Sequence, residues 1–184
     1  MTAVTSEADR RALLRIAREA LTAHICGRRP FAPELAGATA RPAGAFVTLY
    51  IEGDLRGCIG HLGADEPLGR VVARCAVSAA TSDRRFPAVN AAELVALHIE
   101  LSILGALEPL ADSDEIEIGR HGLVVEKGWH RGLLLPQVAV EWRWDRTTFL
   151  DQTCHKAGLP RDAWKEGATI WRFEAEVFAE NQGG

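Results

Sequence analysis

The chain has 184 residues, 47% hydrophobic and 25% charged, enough apolar material for one domain or two closely packed halves. Lys and Arg total 21 against 25 Asp and Glu; the net charge of −4 argues against nucleic acid as the main partner, because phosphate neutralisation needs a basic face. No apolar run approaches the roughly 20 residues that span a bilayer, and the polar start at residues 1–11 lacks a signal-peptide core. Four cysteines, at 26, 58, 75 and 154, form no CxxC pair, so free thiols in a cytoplasmic protein are expected.

Ser6 with Asp9 forms an S-x-x-D start signal. Leu13, Ile16, Ala17, Ala20, Leu21 and Ile25 then recur at helical spacing, predicting an amphipathic helix that ends near Gly27. Residues 28–44 carry prolines at 30, 33 and 42 and read as a long surface loop. Residues 45–52 are β-branched and aromatic, a strand. Gly53-Asp54 makes a tight turn, and residues 55–60 return as the second strand of a hairpin. Asp65 and Pro67 suit the cap and first turn of a helix whose apolar face is Leu68, Val71, Val72, Cys75, Ala76 and Ala79. Residues 97–104 alternate, with Leu97, Ile99, Leu101 and Ile103 on one face and His98, Glu100 and Ser102 on the other.

An acidic stretch at 112–117 precedes a second hairpin, 122–126 and 131–135, around Lys127-Gly128. A helix is expected from Thr147 to Gly158, with Pro160 as a stop signal. Trp171, Phe173, Ala175 and Val177 alternate as a final strand, and residues 181–184 read as a frayed tail. Both hairpins carry Arg-Gly after a glycine turn, at Arg56-Gly57 and Arg131-Gly132. Duplication explains this; recurrent turn chemistry explains it more simply.

Leu55-Arg56-Gly57-Cys58-Ile59-Gly60 is the strongest chemical signal. On a regular strand, Arg56 and Cys58 share a face. A guanidinium beside a thiol favours the thiolate. Gly57 and Gly60 let a backbone or ligand approach closely, and His61 follows as a base or ligand. The competing reading is a buried cysteine filling a gap and an arginine paired structurally. Cys58-x-x-His61 is too short a pattern to define a metal site, and no metal is expected. Cys75 reads as core and Cys26 as structural. Cys154, between Gln152-Thr153 and His155-Lys156, is a second candidate thiol. Asp83 to Pro87 reads either as a solvated helix exit or as an anion-binding loop with Arg85 as fork donor. Glu141, between Val140 and Trp142, is expected to be partly buried. No P-loop, GxGxxG, HExxH or GxSxG is present.

Gly44-Ala45-Phe46-Val47-Thr48-Leu49, the Leu55–Gly60 element, Asp83 with Arg85-Phe86-Pro87, Ile99-Glu100-Leu101-Ser102, Gly119-Arg120-His121-Gly122 and Leu135-Pro136-Gln137-Val138-Ala139 together resemble the AMMECR domain family. Cys154 with Lys156-Ala157-Gly158-Leu159-Pro160 resembles its microbial branch, the AmmeMemoRadiSam system protein A. One departure is Arg84, where the family pattern has proline.

The resemblance implies an α+β fold: one domain over 1–184 with a core of about 12–178, two closely joined subdomains (12–110 and 111–178), hairpins flanked by helices, and a cleft between the halves. It implies association with a Memo-like protein and a radical SAM protein. It brings no reaction and no known cofactor. The candidate catalytic residues are then Cys58, Arg56 and His121, and the candidate ligand-binding residues Gly57, Gly60, Asp83, Arg85 and Glu100. Two functions compete: an enzyme or enzyme subunit with Cys58 activated by Arg56, and a non-catalytic module binding a small anionic ligand or a partner protein.

Overall fold

The computed structural model describes residues 5–180, so the expected frayed tail at 181–184 lies outside them. The chain divides into two compact units: Gly105–Ala175, and the chain on either side of it, up to Leu104 and from Glu176 onward.

The first unit opens with helix α1 (Glu7–Ile25). Ser6 caps it: its hydroxyl accepts from the Asp9 amide while Asp9 reaches back to the Ser6 amide. Leu13, Ile16, Ala17, Ala20 and Leu21 form the buried stripe that the spacing predicts. The loop after it is less superficial than its composition implies. A 3₁₀ turn at Gly37–Ala40 buries Ala38 and Thr39, and Thr39 bonds back to Ala36.

Strands β1 (Ala45–Ile51) and β2 (Asp54–His61) form the expected hairpin. Glu52 and Gly53 both take positive φ, +53° and +87°, the signature of a turn that matches strand twist. Helix α2 (Leu68–Thr81) follows, starting from Pro67 with no side-chain cap. Asp65 is not that cap; its carboxylate pairs with His61 Nε2 at 2.7 Å instead. Strand β3 (Leu97–Leu104) pairs antiparallel with β1. The sheet order is β2-β1-β3, with the chain's returning C-terminal residues beyond β3. Val47, Leu49, Ile99 and Leu101 are fully buried and join the α1 and α2 stripes in one core.

The second unit contains β4 (Glu108–Pro109), β5 (His121–Lys127), β6 (His130–Leu134), α3 (Pro136–Glu141), α4 (Arg146–Lys156) and β7 (Thr169–Ala179), whose last residues belong to the first unit. The order is β6-β5-β7, with β4 on β7. Helix α3 escapes the sequence pattern because it is under two turns long; Pro136 starts it at a position that needs no amide donor. Glu141, at its end, is exposed and not partly buried as expected. Asp145 caps α4 through the Thr148 amide at 2.7 Å.

The two units share a plan. In each, a hairpin is followed by a helical segment and then by a strand pairing antiparallel with the hairpin's first strand. Leu49 lies opposite both Gly57 and Ile99; Val125 lies opposite both Gly132 and Ile170. Gly57 and Gly132 both meet backbone at the end of a helix. An added Cβ would stand 2.2 Å from Ala79 O and 2.4 Å from Ala157 N respectively. The Arg-Gly echo thus marks a packing device that both units use.

Candidate functional site

Strand β2 carries the Leu55–Gly60 element, and its register holds the first departure from the sequence reading. Leu49 pairs with Gly57 and Tyr50 with Leu55, so Arg56 is the extra residue of a bulge. A bulge re-aims a side chain and breaks the two-residue alternation. Arg56 accordingly reaches Glu93, with Nε–Oε1 at 2.8 Å and Nη2–Oε2 at 3.2 Å, and donates from Nη1 to Pro87 O at 2.7 Å. Its guanidinium holds the Glu93 carboxyl below its usual range. The expected same-face alternation of Arg56 with Cys58 is therefore corrected: Arg56 clamps the 87–93 segment to the edge strand. Lysine cannot reproduce that fork. Arg56→Lys is expected to lose about 1–2 kcal/mol in urea unfolding; an unchanged midpoint would show that the clamp is slack.

The Cys58 amide donates to Asp83 Oδ2 at 2.9 Å. Asp83 is buried and also accepts from the Arg85 amide at 3.1 Å, Arg85 Nε at 2.9 Å and Arg85 Nη2 at 2.6 Å. These donors, Arg85 foremost, hold its carboxyl well below the usual carboxylate range, against the opposing effect of burial. The loop leaves α2 with Ser82, Arg84, Arg85 and Pro87 exposed and Asp83 alone buried. Arg85 keeps 56% of its side chain exposed and stacks on Phe86, 5.4 Å from the ring centroid.

The Cys58 thiol accepts from Thr48 Oγ1 at 3.3 Å. Burial pushes the thiol up; the Thr48 bond and the Arg85 charge pull it down, while Asp83 and Glu100 raise it further. The net direction is upward, toward the neutral thiol and away from a thiolate. Cys58, Thr48 and Glu100 form one row across the three strands, and Gly60, Phe46 and Ser102 form the next. Period-two alternation places both rows on the sheet face opposite Val47, Leu49, Ile99 and Leu101. Gly60 lies against the Phe46 ring, where a Cβ would come within 2.3 Å. Ser102 is 1% exposed, and its Oγ has no hydrogen-bond partner among the described residues.

His121 belongs to the other unit. It is buried; its Nδ1 accepts from the Glu117 amide at 3.1 Å, leaving Nε2 as the donor. It lines a polar cavity of about 300 Å³ with Arg120, Arg172, Glu117 and Glu174. Arg120 is paired with Glu117 and Glu174, each at 2.8–3.0 Å. Cys154 is fully buried in that unit's core beside Phe149 and Leu150, which overturns its reading as a second site thiol. Cys75 is core as expected, its thiol pushed up to about 11 by burial. Cys26 is exposed at the C-cap of α1. His61, Asp65 and Glu66 bring ligand atoms within 4.8 Å of one another, without Cys58, and Glu66 also pairs with Arg74 at 2.8 Å.

The structure thus brings Gly57, Cys58, Asp83 and Arg85 together, with Glu100 one strand beyond Thr48, and directs Arg56 elsewhere. Sequence reasoning missed Thr48, Glu93 and Ser102. Thr48 was visible as the polar member of the Phe46, Thr48, Tyr50 alternation, and Glu93 as the return partner in Asn90-x-x-Glu93, where it accepts from the Asn90 amide at 2.9 Å.

These features define an α+β protein with a repeated hairpin–helix–strand plan and a glycine-flanked cysteine strand clipped by an Asp-Arg loop. The chain belongs to the AMMECR1 family, whose model matches residues 14–178. It is 44% identical over 185 residues to a protein of Methanothermobacter thermautotrophicus, covering 96% of each chain. It is 50% identical over 152 residues to a protein of Methanocella arvoryzae, covering 78% of this chain and 77% of the relative. The crystal structure of the uncharacterized protein PH0010 from Pyrococcus horikoshii is similar to it with a TM-score of 0.86 at 38% identity, over 92% of this chain and 90% of that one. No helix among the described residues is long and apolar enough to cross a membrane.

Proposed function

We propose that this chain is a binding module whose ligand lies on the polar face of the β1–β3 sheet, with Cys58 serving as a neutral thiol. The observation that carries the reading is Ser102, buried with an Oγ that has no partner among the described residues, on the face it shares with Thr48, Cys58 and Glu100. A buried hydroxyl left without a partner costs about 1–3 kcal/mol, which a ligand bonding to it removes. Arg85, half exposed and oriented by Asp83, supplies the cation for a small anionic ligand. A cytoplasmic setting and association with a Memo-like protein and a radical SAM protein belong to the same proposal, on the strength of the motif resemblance.

The test is thermal melting against phosphate and small dicarboxylates, since a ligand that binds only the folded state raises the midpoint. A stabilising anion should lose its effect in Ser102→Ala and Arg85→Ala and keep it in Cys58→Ser. Equal loss in Cys58→Ser, or none in the other two, would sink the reading.

A second reading, an enzyme subunit, rests on the Cys58–Thr48–Glu100 row, in which Glu100 is a nearby carboxylate to take the thiol proton. Iodoacetamide labelling followed by mass spectrometry separates the two. Cys58 is expected to react at pH 7 more slowly than exposed Cys26 in the same molecule. Faster labelling of Cys58 would favour the enzyme.

A further inference from the structure

A groove of about 610 Å³ opens on the first unit, between the end of α1, the exposed side of α2 and the loop at 27–33. Its floor is apolar: Ala20 from α1, Ala73 and Val77 from α2, and Phe31 from the loop. Ala20 and Ala73 are small, so an incoming element approaches the helix backbones closely. Phe31 and Val77 are half-buried against the core and leave part of each side chain in the groove.

The rim is cationic. Arg28, Arg70 and Arg74 line it, in a chain whose net charge is −4. Arg74 pairs with Glu66 at 2.8 Å. The side chains of Arg28 and Arg70 make no hydrogen bond or ion pair among the described residues. Arg70, Ala73, Arg74 and Val77 recur at three- and four-residue spacing, so α2 presents one continuous stripe of cation and apolar surface.

We infer that this groove docks an acidic amphipathic helix from a partner protein, its apolar face on Ala20, Phe31, Ala73 and Val77 and its flanking carboxylates on Arg28 and Arg70. Helix-in-groove recognition needs an apolar floor for anchors at i, i+3/i+4 and i+7, and a complementary rim. A lipid surface fits less well, because a bilayer meets a protruding apolar face and leaves a concave one unfilled. The inference is independent of the sheet-face reading: it uses other residues, on the outer side of the helices that cover the opposite sheet face.

The probe is a fluorescein-labelled peptide of about 15 residues, near the minimum for a helix in water, with leucines on one face and glutamates flanking them. Two controls share its length: one with the leucines scattered around the helix, one with lysine for every glutamate. Fluorescence anisotropy should show the patterned acidic peptide binding about tenfold or more tightly than either control. Arg28→Glu with Arg70→Glu should weaken it by about tenfold or more, with an unchanged melting temperature because both side chains are exposed and make no ion pair among the described residues. Val77→Asp should weaken it independently by spoiling the floor. Equal binding of all three peptides, or an unaffected double variant, overturns the inference. So does preferential, Arg28- and Arg70-dependent binding to phosphatidylglycerol vesicles, which makes the occupant a membrane. Self-association abolished by the same double variant makes it a second copy of the chain and likewise overturns the inference.

Discussion

Gly57→Ala is expected to destabilise the protein by about 3 kcal/mol, the upper end of what overpacking a well-packed site costs. The methyl carbon would stand 2.2 Å from Ala79 O and 3.1 Å from Ala79 C. That oxygen is backbone in the last turn of α2, so it cannot rotate away as a side chain would. Relief requires β2 and α2 to separate at the edge of the core that buries Leu49, Val72, Ala76 and Ala79 together. Gly60→Ala is the informative control. Its Cβ would meet the Phe46 ring at 2.3 Å, but a ring on a rotatable side chain gives way, and about 1 kcal/mol is expected. Urea unfolding of the two variants gives the ranking. A Gly57→Ala protein within 1 kcal/mol of the parent would mean that the strand–helix approach is not as close as described.

Asp83→Asn should cost about 3 kcal/mol at pH 7, because one buried carboxylate holds the Cys58 amide and three donors of Arg85. The pH dependence identifies the charge as the cause. The folded-state pKa of Asp83 is depressed well below the carboxylate range, so its contribution is fully present above the unfolded value near 4 and is lost as pH falls through the folded value. Between pH 7 and pH 3 the unfolded carboxyl takes up its proton while the folded one stays ionised. The stability gap between parent and Asp83→Asn should narrow by about 1 kcal/mol over that interval. A gap that is constant from pH 7 to pH 3 would show that the loop is held by its shape and not by the charged pair. Asp83→Asn should also release the Cys58 amide, which hydrogen exchange at that residue reads directly.

The contrast between Arg56 and Asp83 shows how far the candidate site was legible. Strand alternation correctly puts Glu100 and Ser102 on the face opposite Leu97, Ile99 and Leu101, because period-two geometry is local, whereas the row that joins Glu100 to Thr48 and Cys58 comes from the register of the three strands. The same rule fails for Arg56, because a bulge inserts one residue, and nothing in Leu55-Arg56-Gly57 announces it. Asp65 shows a similar limit. Asp-x-Pro reads as a helix start, but His61 four residues earlier takes the carboxylate. Cys154 was misread through its sequence neighbours. Gln152, His155 and Lys156 are polar, yet Leu150, Thr153, Cys154 and Ala157 lie on the buried side of α4. Its weak amphipathic pattern conceals which side faces in.

The sequence by itself determined the elements that rest on near-neighbour physics: the capped helix α1, both hairpins, the alternating strand β3 and the apolar stripe of α2. It also determined the family, through the order and spacing of its short motifs. Only the tertiary structure decided the partners of the charges. Arg56 lies 37 residues from Glu93, and Asp83 lies 25 from the Cys58 amide. Any arginine suits any carboxylate on chemical grounds, and periodicity carries no information about which loop folds over which edge. The choice is made by close packing of backbone on backbone, above all where Gly57 admits the end of α2 and so brings the Asp83 loop against the cysteine strand.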